Sequence, residues 1–145
     1  MRILPAIAVT AMVATVACGS EASSTARLLH DRLRPGMTVD QVLEEVHAVY
    51  SAHPRAWMFC SVWGTPVPVA HDQVHDAARM EAAIDGLTWG SKIPDAAARR
   101  EAAQRLKAAR QIWFTMRGFG YLHLALTLDG SGRVETVSEV SGHAS

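Results

Sequence analysis

Excess charge of either sign is the first thing this chain of 145 residues lacks: 14 basic and 14 acidic side chains cancel. A nucleic-acid-binding surface leaves a basic excess, so this balance argues against that class of partner. Cysteine is scarce too. Cys18 and Cys60 allow at most one disulfide, so the fold rests on an apolar core and not on a disulfide framework. No Ser-His-Asp spacing, Gly-rich phosphate loop or paired-carboxylate arrangement stands out, which leaves no catalytic signature and no cofactor to expect. Long apolar stretches are confined to one place, residues 3–17.

That stretch follows a single positive charge, Arg2, and ends in small residues before Cys18. Charge, apolar run and small residues are the layout of an export signal. The run contains Pro5 and is short for crossing a bilayer. Val16-Ala17-Cys18 resembles a bacterial lipobox, in which the signal is removed and the cysteine becomes the acylated first residue. Acyl chains contribute ~0.8 kcal/mol per buried CH₂ and would hold the domain at a membrane. Thr15 and Ala17 also satisfy the small-x-small rule of ordinary secretion, which would leave Cys18 free to bridge to Cys60. Gly19 takes the place of the Asp that marks inner-membrane retention in some bacteria. The expected division is a lipoprotein-type signal over residues 1–17, a tether over 18–26 and a single α+β domain over 27–145. The expected location is a cell membrane or outer membrane, facing the periplasm.

Beyond the tether, residues 25–33 carry Leu28, Leu29 and Leu33 at helical spacing, and Arg34-Pro35-Gly36 interrupts them. Residues 37–50 are the best-specified helix. Thr38 and Gln41 form a capping box, with Met37 and Val42 as a hydrophobic staple. Val39, Val42, Leu43, Val46, Val49 and Tyr50 then make one apolar stripe. Residues 57–69 read as extended, with Trp57, Phe59 and Trp63 on one face and Met58, Cys60 and Val62 on the other. Pro66 and Pro68 bar a central strand further on. Residues 70–85 read as a helix capped by Gly86, and residues 95–110 as another, with Ala98, Ala102, Leu106 and Ala109 inward.

The chain closes on alternating patterns. Residues 111–117 form a strand. Leu122, Leu124, Leu126 and Leu128 then alternate with Tyr121, His123, Ala125 and Thr127, a period of two. Asp129-Gly130-Ser131-Gly132 turns the chain into a last strand over residues 133–140. The leucines need a cover that only the helices supply. The expected fold is therefore α+β: helices packed on one face of a three-stranded antiparallel β-meander, with residues 57–62 offered as an extra edge strand.

Gly36-Met37-Thr38 followed by Val42 resembles the "GMT…V" helix start of the small outer-membrane-assembly lipoproteins of the SmpA/OmlA (BamE-like) type. The strand, Asp-Gly turn and strand at the end are similar to that family's sheet. The resemblance implies helices on a small antiparallel sheet, a shape shared with the β-lactamase-inhibitor-protein repeats, and a setting in outer-membrane assembly or maintenance.

Four groups of residues carry candidate chemistry. Trp57, Phe59, Trp63, Trp89 and Trp113 belong either to the core or, where two or more are exposed together, to a partner surface, for which Trp57, Phe59 and Trp63 are the candidates, since aromatics are enriched at interfaces. His71 and His75 lie four apart on an expected helix and could share a metal. Asp72 stands where a metalloprotease carries Glu, so they read as a polar helix face and no metal is assigned. Cys60 sits among bulky apolar residues and reads as a buried structural thiol. Arg99, Arg100, Lys107 and Arg110 share a third of a helical wheel and read as a solvated basic face, with contact to anionic lipid as the alternative. The function these features favour is a non-enzymatic envelope lipoprotein, anchored through Cys18, that binds an envelope protein. A secreted inhibitor-like or ligand-binding module and a metal-binding envelope protein are the alternatives.

Overall fold

The computed structural model describes residues 23–53, 59–73, 83–89, 93–117 and 120–144. Within them lie three α-helices and a six-stranded antiparallel sheet. In chain order these are α1 (described over 23–32), α2 (Val39–Ala52), β1 (Phe59–Thr65), a short 3₁₀ turn (His71–Gln73), β2 (Ile84–Trp89), α3 (Ala96–Leu106), β3 (Gln111–Arg117), β4 (Gly120–Leu128), β5 (Val134–Val137) and β6 (Ser141–Ala144).

α2 forms where its caps and stripe place it. The Thr38 hydroxyl accepts from the Gln41 N–H at 3.3 Å, and the Gln41 side chain accepts from the Thr38 N–H at 2.9 Å. This closes the capping box and satisfies two of the helix's orphan donors. Val39, Val42, Leu43, Val46, Val49 and Tyr50 are all buried, each worth roughly 1.5–3 kcal/mol of transfer out of water. The helix ends at His53, the residue before Pro54. α1 is already formed at residue 23, and Thr25 and Ala26 are buried. The last residues expected of a tether thus belong to this helix.

The sheet runs β2-β1-β3-β4-β5, and β6 pairs with the other half of β4. It is twice the three-stranded meander that alternation suggested. β1 is an interior strand, between β2 and β3, and not an edge. β2 occupies residues expected to finish a helix at Asp85 with Gly86 as its cap. Gly86 lies inside the strand, where a Cβ would overlap the Val62 carbonyl. The register with β1 shifts at this point, between Val62 and Gly64. At the start of that expected helix only a 3₁₀ turn forms, over His71–Gln73, and residues 74–82 lie outside the described residues.

One sheet face carries Cys60, Val62, Ile112, Phe114, Met116, Leu124, Leu126 and Leu128. Side chains of α1, α2 and α3 join them in a single apolar core. Trp63, Trp113 and Ala125 point to the opposite face, where Val69 and Ala83 pack against them. Cover therefore comes from both sides. The segment after β1, with its 3₁₀ turn, supplies part of the second layer.

α3 begins at Asp95, whose carboxylate accepts from the Ala98 N–H at 2.8 Å. It stops at Leu106, short of the expected residue 110. Arg110 instead joins the sheet: its N–H donates to the Thr65 carbonyl at 2.8 Å, and its carbonyl accepts from Leu128. Gly64 allows this close return, because a Cβ there would lie 2.8 Å from Ala109 Cβ. At the other end, residues 36–38 pair with the start of β5. Gly36 N–H donates to the Val134 carbonyl, and Val134 N–H to that of Met37. Helix start and final hairpin are thereby one structural unit.

Candidate functional site

Of the residues singled out by sequence, Cys18, Trp57 and His75 lie outside the described residues. Phe59 opens β1, and His71 opens the 3₁₀ turn. Trp63 is described in full. It is only 9% exposed, so a partner could reach little of it. Its ring stacks on Trp113, centroids 6.1 Å apart and planes 15° from parallel. Register explains the contact: β1 pairs Trp63 with Trp113, and β3 pairs Trp113 with Ala125. A small residue on the third strand makes room for two indoles.

Polar groups thread this aromatic layer. Trp63 Nε1–H donates to Thr115 Oγ1 at 3.2 Å, and Thr115 Oγ1 lies 3.4 Å from His123 Nδ1. His123 is fully buried and meets Trp113 edge-on, at 6.4 Å. The Gln111 side-chain oxygen Oε1 accepts from Trp113 Nε1–H at 3.0 Å and from the Val69 N–H at 2.8 Å. It pins the segment after β1 onto the sheet. Gln111, Thr115 and His123 were not singled out as a group by sequence. The signal was the alternation itself, which sets them opposite the core-facing residues of β3 and β4.

Cys60 lies on the helix-covered face and is completely buried, its thiol free. Burial pushes that thiol up from 9.0 to about 12, so at neutral pH it stays protonated and a poor nucleophile. Tyr50 sits beside it, and its phenol is raised far above its ordinary value by burial and by the Cys60 thiol. Trp89, the cross-strand neighbour of Cys60, lies 5.8 Å from the Tyr50 ring.

The basic face expected on α3 is not assembled. Arg99 is buried. Its Nε–H donates to Glu44 Oε1 at 3.0 Å, and Nη1 donates to the Pro94 carbonyl at 2.6 Å and lies 3.2 Å from His47 Nδ1. α2 presents Glu44 and His47 one turn apart, and they draw the guanidinium inward. Lys107 lies past the end of the helix, its Nζ 3.6 Å from Asp40 Oδ2.

A polar cleft of about 330 Å³ opens between the start of α2 and the final hairpin, lined by Thr38, Asp40, Lys107, Ser131 and Arg133 among others. Its charges are tied within the fold. Lys107 meets Asp40, and the Arg133 guanidinium donates to the Gly36 carbonyl at 2.9 Å. Asp129 shapes the loop at its rim. One carboxylate oxygen accepts from the Ser131 hydroxyl and N–H and from the Arg133 N–H. The Ser131 hydroxyl, followed by the Arg133 amide, holds this carboxyl below its usual range.

Among the described residues, no three His, Cys, Asp or Glu side chains converge as a metal site would require. No described helix is long and apolar enough to cross a membrane. Comparison of the chain with known protein families, with characterised proteins and with solved structures finds no match.

Proposed function

We propose that this chain is an exported lipoprotein, acylated on Cys18, whose folded part is a non-enzymatic binding module for another envelope protein. The observation that carries this reading is the sequence of residues 2–18: one positive charge, an apolar run, then Val16-Ala17-Cys18. The state of the second cysteine supports it. Cys60 is sealed in the core, so a bridge to Cys18 would require the strand that carries it to open.

The side chains best suited to chemistry are committed to structure, which favours binding over catalysis. Arg99 ties two helices, His123 braces the aromatic layer, and Cys60 is a core thiol. For a protein partner, the outer side of β2 is the edge on offer. Among the described residues it pairs only with β1, and an added strand could continue the ladder there. The start of β5, towards the other edge, is occupied by residues 36–38. By the resemblance of Gly36-Met37-Thr38 and Val42, the setting is assembly or maintenance of the outer membrane.

Intact mass and membrane fractionation of the expressed protein, beside Cys18→Ser, test the reading. Acyl mass and membrane sedimentation in the wild type alone are expected. A soluble wild type whose mass shows a Cys18–Cys60 disulfide would overturn it and favour a secreted inhibitor-like module.

A further inference from the structure

The helix that follows the proposed anchor in the chain carries more arginine than acid on its exposed side. α1 is committed to the core on one side, through Ala26, Leu29 and Leu33. Its exposed side, continued into the following loop, bears Arg27, Asp31, Arg32 and Arg34. Arg32 lies 3.3 Å from Glu45. Arg27 and Arg34 make no ion pair among the described residues.

Resting on the reading above, the distance from lipid to helix has a ceiling. An acylated Cys18 and residue 23 are five peptide steps apart, and an extended chain covers at most ~3.6 Å per step, about 18 Å in all. Headgroup potential decays over a Debye length of ~8 Å at physiological salt. The ceiling for residue 23 is thus a little over two such lengths, so α1 reaches the headgroup potential of its own bilayer only where the helix lies towards the membrane. Anionic lipid attracts each basic side chain brought into this zone.

We infer that the outer face of α1 and the loop after it, through Arg27 and Arg34, is a second membrane contact that docks on the anionic headgroups of the bilayer holding the anchor. The lipid chain sets proximity, and the two guanidinium groups set orientation. Docked in this way, the domain turns the opposite sheet layer, with Val69, away from the membrane.

The test uses acylated full-length protein in vesicles whose headgroups carry a nitroxide quencher. A fluorophore is placed at Ser24→Cys, an exposed position, or at Val67→Cys, which is 67% exposed in the segment that leads from β1 to Val69 on the far sheet face. Cys18 is blocked by lipid and Cys60 by burial, so each variant takes one label. Quenching at position 24 should be stronger in phosphatidylglycerol-containing vesicles than in phosphatidylcholine alone, and weak at position 67 in both. Arg27→Gln with Arg34→Gln should remove the difference at position 24, as should high salt. Equal quenching at 24 in both vesicles, or a difference that survives the double substitution, overturns the docking while the mass still shows lipid. An unacylated Cys18 in the mass spectrum overturns the docking and the lipoprotein reading together.

Discussion

Arg99 and Glu44 join α3 to α2 across a 3.0 Å ion pair, with the arginine buried and the glutamate at the rim. Removing the arginine strands more than one partner. Arg99→Ala leaves the Pro94 carbonyl without its donor and opens space between the helices. A loss of roughly 1–3 kcal/mol in urea unfolding is expected. Arg105→Ala removes an exposed pair with Glu101 within one helix and should cost no more than about 0.5 kcal/mol. Equal shifts in the two variants would mean that Arg99 contributes only as a surface charge.

The capping box at α2 makes a second, local prediction. Thr38→Ala removes the acceptor for the Gln41 N–H and should destabilise by ~1 kcal/mol. Thr38→Asp keeps an acceptor at the positive end of the helix and should lie close to the wild type. Because residues 36–38 also pair with Arg133 and Val134, amide exchange should quicken in β5 as well as at the helix start in Thr38→Ala. Exchange confined to α2 would show that the hairpin does not depend on the cap.

Close packing at β1 gives a third. Gly64→Ala places a Cβ 2.8 Å from Ala109 and 3.1 Å from Leu106. Leu106 Cδ2 can turn aside, but Ala109 Cβ cannot yield without moving the backbone after α3, so a loss of roughly 1–3 kcal/mol is expected. Gly130→Ala meets nothing within 4 Å and should leave the melting temperature nearly unchanged. A Gly64→Ala melt that coincides with that of Gly130→Ala would show that the return from α3 into β3 is loose.

What the chain disclosed about itself follows the range of the forces involved. α2 was legible because its cap and its apolar stripe lie within fourteen residues. β4 was legible because its four leucines alternate without interruption. β2 and β6 were not. Ile84-Asp85-Gly86-Leu87-Thr88-Trp89 has no clear period, and Ser141-Gly142-His143-Ala144 has no large apolar side chain. Both become strands through ladders to distant partners, β1 and β4. The same limit blurred the candidate site. A helical wheel gives the bearing of Arg99 but not the neighbours that meet it, and Glu44 lies fifty-five residues earlier in the chain. Trp63 reads equally as core or as partner surface until register brings Trp113 beside it.

Asp129 offers a fourth prediction, on pH. Its carboxyl is held below the ordinary value of 3.8 in the folded loop, chiefly by the Ser131 hydroxyl and the Arg133 amide. A depressed carboxyl stabilises the fold above its unfolded value, and that contribution is lost as pH falls through the folded one. Protection of the Arg133 amide should therefore weaken below about pH 4 in the wild type. Asp129→Asn keeps an acceptor oxygen but does not titrate, so its protection should be flat across the same range. A parallel acid loss in both proteins would assign the effect to another carboxylate.

Cys60 makes the opposite prediction at the alkaline end. Its thiol is raised from 9.0 to about 12 by burial, so the folded chain keeps a proton that the unfolded chain gives up above pH 9. A raised group contributes its full stability below the unfolded value and loses it as pH climbs towards the folded one. Unfolding free energy should fall from about pH 9, with a slope of order 1 kcal/mol per pH unit from this group. Tyr50, raised in the same direction, adds to the fall from about pH 10. Cys60→Ala removes the first contribution and leaves the second, so its stability should begin to drop about one unit later in urea titrations. The native thiol should also resist a thiol-specific reagent at neutral pH and react at the rate of unfolding. Fast labelling of the folded protein, or matching alkaline curves for wild type and Cys60→Ala, would show that the sheet opens around Cys60. The sealed core that supports acylation of Cys18 over a Cys18–Cys60 disulfide would then no longer hold.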